Sequence, residues 1–85
     1  MAKVNIIKEV RLGEPDDWQL CFQWCKYLYD NNENEYGYRF IWRREDGSLQ
    51  PARGQARIPK VDWIEKLMAL AEKEGWLKSI ENEIV

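Results

Sequence analysis

The chain has 85 residues, with 13 Lys and Arg against 15 Asp and Glu, no histidine, two cysteines, and five Trp, four Tyr and two Phe. A chain of that length buries only about 60% of its unfolded surface, so a stable core must be built from large side chains. With no histidine or threonine, and Ser48 and Ser79 as the only serines, the base that activates an ordinary hydrolytic nucleophile is missing. Cys21 and Cys25 make neither a disulfide framework nor a zinc set, and no apolar run reaches the ~18 residues of a membrane span.

These exclusions give one domain over residues 1–85, with 78–85 as a fraying tail. They also give no enzyme, no metal or other cofactor, and no membrane partner. Met1-Ala2-Lys3-Val4-Asn5 lacks the apolar stretch of a signal peptide, which predicts a cytoplasmic location.

Residues 3 to 12 alternate, with Val4, Ile6, Val10 and Leu12 on one parity and Asn5, Glu9 and Arg11 on the other, as a half-covered strand requires. Gly13-Glu14-Pro15-Asp16-Asp17 breaks it. From Trp18 to Tyr29 two patterns overlap. Trp18, Cys21, Phe22, Cys25 and Tyr29 recur at helical spacing, whereas Trp18, Leu20, Phe22 and Trp24 alternate as a strand. The polar loop Asp30 to Glu35 and the run Gly37 to Arg44 that follows tip the reading toward a hairpin, hence strand.

Asp46-Gly47 then signals a tight turn, and Leu49 to Ile58 is read as the next extended piece. Pro51 cannot donate to a ladder, which places it at an edge or a bulge. A one-residue slip near Pro51 would bring Arg53 and Arg57 onto the face of Arg39 and Arg43. The last element is a helix whose apolar face is Ile64, Leu67, Met68 and Ala71. Asp62 suits its first turn, and Gly75 its left-handed stop, with Trp76 folding back onto Leu70 or Ala71. The expected fold is α+β, an antiparallel sheet of three to four strands with the C-terminal helix on one face.

Asp30, Asn32 and Asn34 fall at the first, third and fifth positions of a calcium loop, but Glu35 stands where glycine is required and Ile41 at the bidentate glutamate position. A solvated loop is the reading. The charge distribution is more informative. Arg39 to Lys60 holds six basic and two acidic residues, a balance of plus four, so the remainder of the chain carries minus six. Five of the six arginines lie within residues 39–57.

Arg39, Arg43, Arg53 and Arg57 on adjacent strands would form a basic face, with Tyr36 and Tyr38 the nearest rings. Cations following phosphates beside rings stacking on bases is how sequence-tolerant single-strand binders work. The plainer alternative is a solvated outer face whose arginines pair with Glu9, Glu45 or another carboxylate.

From Tyr38 to Leu67 a strand, the run Asp46-Gly47-Ser48-Leu49-Gln50-Pro51-Ala52-Arg53-Gly54, a short strand ending at Ile58 and a helix bearing Trp63 follow in order. This order resembles the single-stranded-DNA-binding transcriptional coactivators of the positive-cofactor family. The resemblance implies a four-stranded sheet, a homodimer formed through the helix, and single-strand binding by the strands. The expected function is thus a small module for single-stranded or irregular nucleic acid. The alternative is a protein-interaction module, an adaptor or inhibitor, that binds a protein partner.

Overall fold

The computed structural model describes residues 3–51 and 56–76. Three strands, β1 (Lys3–Leu12), β2 (Gln19–Leu28) and β3 (Asn34–Arg43), form an antiparallel meander in the order β1-β2-β3, followed by one helix, α1 (Val61–Lys73). The α+β class holds, with three strands.

The expected strand over Trp18 to Tyr29 is β2, and its alternation decides the core. Leu20 and Phe22 are buried under the helix, while the intervening Gln19, Cys21, Gln23 and Cys25 point to the opposite face. The β2–β3 hairpin closes through Tyr29 to Glu33, where Asn32 takes φ 66°; asparagine tolerates that conformation better than most residues.

β1 departs from the parity that its sequence suggests. A bulge lies between Ile6 and Lys8, so that Ile6 pairs with Cys25 and Lys8 with Trp24. The extra residue reverses the alternation. Val10 and Leu12 face the helix, but Val4 and Ile6 do not, and Lys3, Asn5 and Lys8 take the helix-side positions instead.

The turn after β3 also differs from expectation. Gly47 N–H donates to the Arg44 carbonyl, Arg44 N–H donates to the Ser48 carbonyl, and Gly47 takes φ 86°. The central residues are therefore Glu45 and Asp46, with Gly47 as the left-handed bulge residue. The bridge that follows joins Arg43 to Leu49, so the slip expected near Pro51 occurs at Gly47. Among the described residues the extended piece Leu49 to Ile58 forms no fourth strand beyond that bridge. Pro51 has no N–H to continue the ladder.

α1 buries Leu67 and Ala71 against Val10, Leu20 and Phe22, with Trp63, Met68, Leu12 and Trp42 packed around them. Asp62 lies in its first turn and Lys73 in its last, each complementing the helix dipole. Gly75 has φ 88°, and Trp76 turns back as expected. Its ring lands mainly on the sheet, stacking 5.4 Å from Phe22 and 6.0 Å from Tyr38. The helix lies mainly over β1 and β2 and touches β3 through the Trp63 ring, 6.0 Å from that of Trp42.

Candidate functional site

The two sheet faces sort the charged strand residues by type. Register puts Glu9, Arg11, Glu35, Arg39 and Arg43 on the face away from the helix, and Lys3, Lys8 and Lys26 on the helix side. Every carboxylate and every arginine of the strands is on one face, and every lysine is on the other.

On the arginine face, Glu9, Gln23 and Arg39 form one cross-strand row. The Gln23 side-chain amide donates to Glu9 Oε2, and Arg39 Nε donates to Gln23 Oε1 at 2.7 Å. Arg43 reaches the same carboxylate, with Nε and Nη2 donating to Glu9 Oε2 at 3.0 and 2.9 Å. Its Nη1 donates to the Gly47 carbonyl at 2.7 Å, which ties β1 to the turn after β3. Arg11 Nε completes the set at 2.6 Å from Glu9 Oε1. Burial raises the Glu9 pKa, but hydrogen bonds from Arg43, Gln23 and Arg11 outweigh it and hold the carboxyl below its ordinary 4.5. Among the described residues no buried side-chain nitrogen or oxygen lacks a partner, so this network is internally satisfied.

Cys21 and Cys25 lie fully buried on the same face. Burial pushes the Cys21 thiol up to about 11 and raises Cys25 as well. Since the thiolate is the reactive form, both should resist a thiol-specific disulfide reagent in the native protein and react only on unfolding. Rapid titration of either thiol without denaturant would contradict the packing described.

The helix side has a different chemistry. Trp24 is flanked by Tyr38 at 4.6 Å and Tyr36 at 5.6 Å between ring centroids, and Lys26 Nζ sits 5.7 Å from the Tyr36 ring centre. Tyr36 is 54% exposed and Tyr38 39%, because the buried part of this face ends at Phe22 and Trp76. Lys8 pairs with Trp24, Asn5 with Lys26 and Lys3 with Leu28. The result is a strip of accessible rings bordered by three ammonium groups, with no strand carboxylate on that face.

No family model, curated protein or solved structure matches the chain.

The structure thus divides the residues that the sequence groups together. Tyr36 and Tyr38 are on the helix-side strip, while Arg39 and Arg43 are on the other face, held by Gln23 and Glu9. Glu9 is one of the carboxylates that the solvated-face alternative named. Arg53 lies outside the described residues. Arg57 is exposed, and its carbonyl accepts the Trp42 indole N–H at 2.8 Å, which places its backbone on the helix side with Trp42.

Sequence reasoning missed Trp24, Lys26, Lys8 and Lys3. Lys26 was legible, since it continues the parity of Phe22 and Trp24. Lys3 and Lys8 were not, because they differ in parity and only the bulge brings them to one face. Among the described residues no group of His, Cys, Asp or Glu is arranged to hold a metal ion, and no helix is long and apolar enough to cross a membrane.

Proposed function

We propose that the protein is a binding module, not an enzyme, for single-stranded nucleic acid, and that its contact surface is the helix-side strip of Trp24, Tyr36 and Tyr38 with Lys3, Lys8 and Lys26. The observation that carries this reading is the coincidence of accessible rings with lysines on a face free of strand carboxylates. Rings take bases by stacking and ammonium groups follow the phosphates, neither of which demands a particular sequence. The opposite face supports it less well, because Glu9 already engages Arg43 and Arg11. The resemblance of residues 38–67 to the single-strand-binding coactivators points to the same ligand class, and with it to a homodimer.

Oligothymidylate titrated into the protein should quench its fluorescence. With about three phosphates neutralised, log K should fall with log salt at a slope of about −2. Tyr36→Ala should weaken binding roughly 5- to 100-fold, the range for loss of one stacking ring. The double variant Lys8→Ala, Lys26→Ala should flatten the salt slope by more than half. Arg39→Ala should leave affinity unchanged. Binding that survives Tyr36→Ala but fails in Arg39→Ala would move the site to the arginine face and overturn this proposal.

A second reading, as an adaptor or inhibitor for a protein partner, is favoured by one observation. Ile6 and Ile7 are 37% and 44% exposed at the bulge of β1, on an edge strand that ends the sheet. Edge strands pair readily with other chains. Absence of any oligonucleotide binding, together with loss of self-association or partner binding in Ile7→Lys, would favour it.

A further inference from the structure

The strip does not stop at Tyr38. The residues of β3 that share its face are Tyr36, Tyr38, Phe40 and Trp42, so every second side chain is aromatic. At ~3.3 Å per residue the row from Tyr36 to Trp42 runs about 20 Å. Ring contacts link Tyr36 to Trp24, Trp24 to Tyr38, Tyr38 to Phe22, and Phe22 to Phe40 at 5.0 Å, with Phe22 and Phe40 packed into the core between the two ends of the row. α1 packs mainly on β1 and β2 and reaches this row at Trp42, whose ring lies 6.0 Å from that of Trp63, while Tyr36 and Tyr38 stay exposed at the other end.

At its far end Trp42, Arg57 and Pro59 line an open cleft. Trp42 is only half-buried there, and its indole N–H is spent on the Arg57 carbonyl, so what the ring offers a ligand is its face. Arg57 is exposed, as is Lys60 three residues on. The row is therefore bracketed by cations, with Lys26 over Tyr36 at one end and Arg57 beside Trp42 at the other.

We infer that the Trp42–Arg57–Pro59 cleft is a second nucleotide subsite for the same strand, so that the nucleic acid lies along β3 and spans about four nucleotides, the short end of known single-strand site sizes. This rests on the strip being a nucleic-acid surface. Trp42 and Pro59 sandwich or floor a base, and Arg57 supplies the fork for a phosphate at that end. Arg57 is a good probe because alanine keeps the carbonyl that holds Trp42.

The test is a length series of thymidine oligomers of two, four, six and eight nucleotides, read by fluorescence against wild type, Arg57→Ala and Tyr36→Ala. For wild type, affinity should rise between two and four nucleotides and then flatten. Arg57→Ala should match wild type on the dinucleotide, lose roughly 5- to 10-fold on the tetramer and longer, and reduce the salt slope by about 0.7. Tyr36→Ala should lose affinity at every length. If wild type binds but Arg57→Ala equals it at all lengths, or if affinity saturates at the dinucleotide, the cleft is not on the path while the strip stands. If wild type binds no oligomer, the strip reading fails and this inference falls with it.

Discussion

Trp76→Ala should be the most damaging single substitution in the chain. Trp76 is 6% exposed and its ring stacks on both Phe22 and Tyr38, so it joins the end of α1 to β2 and β3. Truncating a buried tryptophan costs about 3–5 kcal/mol. At ~0.05–0.15 kcal/mol per residue a chain of this size has roughly 4–13 kcal/mol in all. The variant is therefore expected to melt at least ~12 °C lower, at ~4–8 °C per kcal/mol for a small domain, or to be unfolded at room temperature. Trp76→Phe, which retains a ring, should lose less than half as much. Thermal unfolding followed by circular dichroism decides it, and a Trp76→Ala midpoint within a few degrees of wild type would show that the helix is held by Leu67 and Ala71 without this clamp.

The second large effect concerns Glu9. Its side chain is 13% exposed and that of Arg43 17%, so Glu9→Ala strands a largely desolvated guanidinium. Breaking one side of a buried pair costs about 3–5 kcal/mol, and the residual exposure here brings the expectation to about 2–4 kcal/mol. Arg43→Met should cost a similar amount, whereas the double variant Glu9→Leu, Arg43→Met should recover most of the loss because neither charge is then left alone. The pH dependence has a definite sign. Glu9 has a folded pKa below 4.5, so its stabilisation is fully present above 4.5 and is lost as pH falls through the lower folded value. Urea midpoints measured from pH 7 down to 3 should fall on acidification, and the Glu9→Leu, Arg43→Met variant should show a shallower fall. An equally steep fall in that variant would assign acid sensitivity to other carboxylates.

Most of the fold was legible because alternation and turn chemistry agree for most of the chain. The α1 stripe of Ile64, Leu67, Met68 and Ala71, the Gly75 stop and the return of Trp76 are local signals; Leu67, Met68, Ala71 and Gly75 appear as expected, while Ile64 is only half-buried and the Trp76 ring stacks on Phe22 and Tyr38. β2 needed its neighbours to settle it, since Cys21 and Cys25 fit helical and strand spacing equally well. What sequence could not show was where one residue is inserted into a ladder. The slip between Ile6 and Lys8 is decided by pairing with β2, whereas the one at Gly47 follows from the choice between two local turn types that Glu45-Asp46-Gly47 allows.

The candidate site was obscured by the same limit and by the uneven composition of the chain. Tyr36 and Tyr38 differ in parity from Arg39 and Arg43, so their separation onto opposite faces was already present in the sequence. The arginine cluster attracted attention through composition, yet composition is blind to a single carboxylate such as Glu9 that gathers Arg11 and Arg43 from two different strands. The lysines of the strip are dispersed over residues 3–26 and produce no visible run.

The bulge in β1 makes the strand's two halves independently addressable. A ladder that paired Ile7 with Cys25 would restore simple alternation, rotate residues 3–6 by half a turn about the strand axis, and exchange Asn5 and Lys3 for Ile6 and Val4 beside Lys26 and Leu28, whereas deleting Ile7 would keep the present partners. The slipped register would put two aliphatic side chains in place of Lys3 and Asn5 on that border, leaving Lys8, Lys26 and the Val10 and Leu12 side chains under the helix where they are. For this small chain, the make-up of the strip's border is thus set by one step of register in the first half of β1, apart from the side chains that form the core.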